Sequence, residues 1–237
     1  MARRAPAGIA ALLLAALAAQ CALHAVAPVP ARSAPVFAMP PPGPPLPDAA
    51  LRLASLGDGP TAARLVMLYL HASDAGIPLR ELDYGHLAGW LEAALALDPR
   101  SRQPLVAAAQ VYGAVADPAR VRIMLGVVER AFAADPARRW PDMVQAALLA
   151  RHRLHDMALA RRYAQALRLR APLAPAWARQ LELFILQDMN ELDSARAVAG
   201  ALLASGTITH QNDIAFLEDR LRELERAASH GTHGQVR

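Results

Sequence analysis

The chain has 237 residues, 54% of them hydrophobic and only 5% aromatic, enough for one core of ordinary size. Alanine and leucine dominate and no strand-like alternation runs for long, which argues against a β fold and for helix. The formal net charge is +4 with arginine as the sole strong base, and Arg138-Arg139 and Arg161-Arg162 have acids and apolar positions around them, so no basic stripe for nucleic acid results. One cysteine, Cys21, excludes an internal disulfide.

Arg3 and Arg4 precede an uncharged run from Ala5 to Ala27. At about 1.5 Å per residue this run can cross a hydrocarbon core of about 30 Å. Residues 1–27 are therefore read as a transmembrane anchor or a cleaved signal segment, with the N-terminal arginines cytoplasmic and the rest exported. Ala25-Val26-Ala27 has the small residues of a cleavage site but is followed by Pro28; Gln20 before Cys21 departs from a lipobox. Residues 28–47 hold nine prolines, which forbid helix and sheet and predict an extended linker reaching on the order of 60 Å.

Residues 48–228 read as a helical domain. Asp48 opens a short helix through Leu56, broken at Gly57-Asp58-Gly59-Pro60, and Thr61 is placed to cap the next helix. After the turn Gly76-Ile77-Pro78, Asp83 caps a helix ending at Asp98-Pro99. A second pair is predicted over 103–115 and 119–134, a third over 141–154 and 156–169, and a fourth over 175–189 and 191–204. A final helix from Asn212 to Ala228 carries Ile214, Leu217, Leu221 and Leu224 on one face and charges elsewhere, as a terminal cap must. Residues 229–237 are read as a disordered tail.

Near the end of each second helix the chain returns to alanine followed by an apolar residue. The four places are Ala94-Leu95, Ala131-Phe132, Ala166-Leu167 and Ala201-Leu202, at separations of 37, 35 and 35 residues. Leu91, Val128, Tyr163 and Val198 stand three residues before those alanines, and Pro99, Pro136 and Pro172 follow the first three. With these features, residues 62–206 resemble the tetratricopeptide-repeat family, Ala94-Leu95-Ala96-Leu97-Asp98-Pro99 most closely. The first helices depart from the family pattern: its early Trp, Leu-Gly and Tyr are out of register, and Trp177 falls only near the expected Trp. The resemblance implies an all-α solenoid of about four degenerate hairpins closed by a C-terminal capping helix.

The segment Leu51-Arg52-Leu53-Ala54-Ser55-Leu56-Gly57, with Leu82-Asp83-Tyr84, is also loosely similar to membrane-anchored helical-repeat proteins of proteobacteria. That similarity implies a single-pass inner-membrane protein with its repeats in the periplasm; a cleaved signal would leave it soluble there. In the tetratricopeptide family the first helices line the concave side. By that analogy Gln110, Gln145, Arg151, Arg179 and Gln180 face a bound peptide, where arginine favours an acidic segment or a terminal carboxylate.

Chemistry of other kinds has little foothold. His152 and His155 with Asp156 could converge on a metal, but no third ligand is spaced near them and His-Glu-x-x-His is absent; a turn between paired helices is the better reading. His230 and His233 lie in the tail. No Gly-x-Ser-x-Gly or phosphate-cradling glycine loop occurs, and no cofactor is implied. The acids Glu182, Asp188 and Glu191 are read as capping helices or pairing with Arg179 and Arg196. The functional expectation is a non-enzymatic, monomeric, membrane-anchored scaffold that holds an envelope protein. The alternatives are a structural subunit of a membrane complex and a metal enzyme using His152 and His155.

Overall fold

The computed structural model describes residues 15–19 and 41–233, with side chains through Arg226. Most of the expected export segment, linker residues 28–40 and tail residues 234–237 therefore lie outside the described residues. Residues 15–19 are helical and belong to a unit separate from Pro41–Arg237. No helix among the described residues is long and apolar enough to cross a membrane.

All regular structure among the described residues is helical. The elements are α1 (Asp48–Ala54), α2 (Gly59–Ser73), α3 (Tyr84–Leu97), α4 (Gln103–Val106), α5 (Pro118–Ala134) and α6 (Pro136–His152). They are followed by α7 (Met157–Arg170), α8 (Ala176–Arg179), α9 (Leu181–Asp188), α10 (Leu192–Ala204) and α11 (Gln211–His233). Without a break, α4 passes into a π turn, Ala107–Val111, and then a 3₁₀ turn, Tyr112–Ala114.

Aspartates set the starts of five helices, α2, α3, α5, α6 and α7, because a carboxylate accepts the orphan N–H groups of a first turn. Asp83 accepts from His86, Asp117 from Ala119 and Arg120, and Asp156 from Leu159. Two helix starts differ from the sequence expectation by more than one residue. The cap of α2 is Asp58, which accepts from the Thr61 amide at 3.1 Å; Gly59 and Pro60 already occupy the first turn. Helix α6 starts at Pro136, five residues early, because Asp135 both ends α5 and caps α6. Pro141 then sits inside α6, where it costs one main-chain hydrogen bond.

Three turns among the described residues take the left-handed conformation at a residue other than glycine, the first at Leu56 (φ +55°) after α1. His155 (φ +52°) follows α6, and the Asp156 amide closes back on Ala150 O at 2.9 Å. Asn190 (φ +58°) follows α9, with the Glu191 amide on Leu186 O at 2.9 Å. The Asn190 turn is a Schellman motif, with the Asn190 amide also on Gln187 O at 3.0 Å, which satisfies the last carbonyls and turns the chain back sharply. Helix α11 continues to His233, past the Ala228 end read from sequence.

Packing follows chain order: α2 lies on α3, α3 on α5, α5 on α6, α6 on α7, α7 on α9, α9 on α10 and α10 on α11. The main core runs from Leu51 to Ile185, and a second gathers Leu183, Leu186, Ala195, Val198, Leu202, Leu217 and Leu224. Helix α9 faces both, sending Ile185 one way and Leu183 and Leu186 the other. Leu91, Val128, Tyr163 and Val198 are all buried. Full burial of each such side chain is worth about 1.5–3 kcal/mol. The recurrent alanines behave unequally: Ala94 is buried, whereas in the later pairs it is the next residue, Phe132, Leu167 or Leu202, that fills the core.

Polar contacts between successive pairs span nearly the same length of chain. Arg102 meets Asp142 (3.2 Å), Arg122 meets Asp156 (3.1 Å), Arg162 meets Glu129 (3.1 Å), and Arg170 donates to Ala133 O (3.1 Å). Arg153 donates to Val115 O, Arg130 pairs with Glu92, and Arg220 donates to Gln187. Their separations, 33 to 40 residues, bracket the period of the alanine recurrence. Half-exposed ion pairs contribute only about 0–1 kcal/mol each, so they fix register while apolar burial holds the fold.

Candidate functional site

The first helices of the four pairs are α2, the α4–Ala114 segment, α6, and α8 with α9. The segment from α4 to Ala114 changes helix type along its length, and its neighbours show why. Tyr112 is fully buried and donates its hydroxyl to Asp74 Oδ2 at 2.7 Å. Tyr84 in turn donates to the Tyr112 carbonyl at 3.1 Å. These two bonds pull the chain toward the first pair, and the tightening leaves no room for a side chain at Gly113, where a Cβ would stand 2.9 Å from Ala108 O. Burial, then the Asp74 carboxylate, raises the Tyr112 phenol far above its ordinary pKa. Burial also raises Tyr84.

Helix α6 carries a buried ion pair. Arg139 and Asp142 are 2% and 6% exposed, with Arg139 Nη1 3.9 Å from Asp142 Oδ2. Arg102 binds the carboxylate's other oxygen, Oδ1, at 3.2 Å, and Arg139 also donates to Pro99 O. Burial lowers the pKa of Arg139, against the opposing pull of Asp142. Arg139 Nη1 and Asp142 Oδ2 have no hydrogen-bond partner among the protein atoms. The cluster joins two successive pairs and faces inward, as a packing device does.

The five residues read from sequence as facing a partner divide. Gln110 is exposed and Gln145 half-buried. Arg151 is held by Asp188 of α9. Arg179 and Gln180 are buried, at 5% and 4% exposure, and Arg179 is bound to the Thr207 hydroxyl and carbonyl. Those two lie at the α8–α9 break, where the chain turns inward, so they serve the interior of the fourth pair instead of its surface. Apolar groups take the outward positions nearby. Trp177 is 57% exposed and meets Trp140 edge-on at 5.7 Å, and Phe184 lies against Phe216 of α11 at 6.1 Å.

The acids read as capping or pairing are paired, though with other arginines than expected. Glu182 binds Arg168 (2.7 Å), Asp188 binds Arg151, Glu191 binds Arg161 (2.8 Å), and Arg196 takes Asp193 (3.1 Å). His152 and His155 are exposed at a helix end. Asp156 is committed to the α7 N-terminus and to Arg122; its pKa is lowered first by the Leu159 amide and then by that arginine. Among the described residues no three His, Cys, Asp or Glu side chains are grouped to hold a metal ion.

A cleft of about 360 Å³ lies at the N-terminal end of the domain, and nothing in the sequence pattern pointed to it. Residues Gly43 to Leu46 form one wall, and α1, α2 and Trp90 of α3 form the others. The Trp90 indole N–H donates to Gly43 O at 2.8 Å. Pro45 rests on Gly89 so closely that a Cβ there would stand 2.8 Å from the proline ring. The end of the proline-rich linker is thus strapped onto the domain. Compared with protein families, curated proteins and solved structures, the chain matches none.

Proposed function

We propose that the domain is a helical-repeat solenoid of tetratricopeptide type which holds another protein, tethered to the envelope side of a bacterial inner membrane by residues 1–27. The observation that carries this reading is the chain-ordered packing of helix pairs, joined by arginine contacts 33 to 40 residues apart. Stacks of this kind bury their core between neighbours and leave a long row of first-helix side chains for recognition. On that row Gln110 and Gln145 offer amide donors and acceptors, and Trp177 offers an aromatic anchor of the sort that concentrates binding energy.

The test is site-specific photo-crosslinking of the full chain in cells, from positions 110, 145 and 177, with position 196 on α10 as control. The reading expects one and the same protein captured from the three first-helix positions and not from 196. Capture of nothing, or of the same mixture from all four positions, would refute it.

A further inference from the structure

We propose that the N-terminal cleft is a binding site for a single hydrocarbon chain, such as the alkyl chain of a lipid-derived amphiphile. This inference is independent of the protein-holding reading. The cleft is walled by Leu51, Ala62, Val66, Tyr69 and Trp90, with Ala54, Leu46 and Leu65 also lining it. Leu46 and Leu65 are 54% and 48% exposed. Apolar clefts of this kind favour apolar guests, whose burial removes apolar wall from water.

The lining also selects what can enter. Its indole N–H is already given to Gly43 O, so the ring presents only its apolar surface. An extended peptide would bring N–H and C=O groups that need partners, and among the described residues no charged side chain lines the cleft to supply them. An amphipathic helix would need a row of such hollows at helical spacing, whereas the two other cavities described have charged walls: Arg122, Glu129, Asp156 and Arg162 in one, Asp135 and Arg139 in the other. A hydrocarbon chain brings no polar group to satisfy. At about 30 Å³ per water-sized group, 360 Å³ takes on the order of a dozen methylenes.

The strap makes the site conditional on the linker. Gly43, Pro44 and Leu46 form its near wall and are held in place by the Trp90 hydrogen bond and by Pro45 against Gly89. A ligand seated here touches both the linker's end and α2. Its polar end stays in water at the mouth.

The probe is dodecanol carrying a mid-chain diazirine, photolysed with the full chain, and the labelled residues are mapped by mass spectrometry. Labels are expected within 46–69 and at Trp90. Competition by unlabelled dodecanol should weaken roughly fourfold for each methylene removed, so decanol competes roughly fifteenfold less well. Ala54→Trp and Leu65→Trp, both at accessible positions, should each reduce labelling at Trp90 about tenfold or more, and circular dichroism reports whether each still folds. Absence of label from these segments, label that dodecanol does not displace, or displacement indifferent to chain length would overturn the proposal. So would a folded Leu65→Trp protein labelled like the parent. A concentration-dependent dimer abolished by Leu65→Arg would assign the cleft to a second copy and likewise overturn it.

Discussion

Removing the carboxylate of Asp142 isolates the most deeply buried cation of the domain. Arg139 is 2% exposed and, besides Asp142, meets only the Pro99 carbonyl as acceptor among the described residues. Asp142→Ala leaves that guanidinium charged, out of water and without its counter-ion, and also releases Arg102. Breaking such a pair from one side costs about 3–5 kcal/mol. The looser 3.9 Å contact and the half-solvated Arg102 argue for the lower end, about 3 kcal/mol. Removing both charges behaves differently. Arg139→Met with Asp142→Leu keeps similar volume and takes away both desolvation costs, so the double variant should fall within about 1 kcal/mol of the parent. Urea unfolding followed by helical circular dichroism measures all of these, and a cycle of Arg139→Met, Asp142→Leu and the double variant isolates the coupling. A single Asp142→Ala loss below about 1 kcal/mol, or a double variant worse than the single, would refute the claim that this pair is a buried and mutually compensated unit.

Tyr112→Phe deletes the buried donor to Asp74 and should cost about 1.5–3 kcal/mol, read in the same unfolding assay. Tyr163 is pushed up to about 12 by burial and by Glu129, so the folded state holds its proton where the unfolded chain, near 10, has lost it. Its contribution is complete below pH 10 and lost as pH rises toward 12, at up to about 1.4 kcal/mol per unit, and Tyr163→Phe should flatten that slope. Asp83, Asp135 and Asp156 have lowered pKa values, so the stability they supply is present above about pH 4 and lost as pH falls below it; Asp156→Asn should shallow the acid transition. Gly89→Ala drives a methyl group into Pro45 and should cost about 1–3 kcal/mol, with faster proteolysis at 41–46 as the direct readout.

Helix placement was legible from sequence because aspartate, proline and glycine mark ends by local chemistry. Asp83, Asp117 and Asp156 each cap a helix that their position announces. The misses came where one residue served two roles. Asp135 closes α5 and opens α6, so Asp135-Pro136 was read as an end when it is also a start. The alanine recurrence falls near the ends of α3, α5, α7 and α10, but the recurring alanine is not always the buried residue. In three pairs the core is filled by the residue after the alanine, because a small side chain suits the flank where helices approach as well as it suits the centre.

The candidate surface was harder to read. Arg179 and Gln180 look like surface groups by type, and only the break between α8 and α9 turns them inward. The apolar cleft had no sequence signal because its walls come from residues 43 to 90, across a linker end and three helices. One signal was present and unused: arginines recur with an acid 34 to 38 residues away, as in Arg122 with Asp156 and Arg130 with Glu92.

The central claim, that the first-helix face holds a protein, is tested most directly by the affinity of the purified chain for the protein captured by crosslinking. It is to be measured for the parent, Gln145→Arg and Arg196→Glu. The account predicts at least tenfold weaker binding for Gln145→Arg, about 1.4 kcal/mol, and unchanged binding for Arg196→Glu. Equal affinities for all three proteins, or a loss confined to Arg196→Glu, would contradict it.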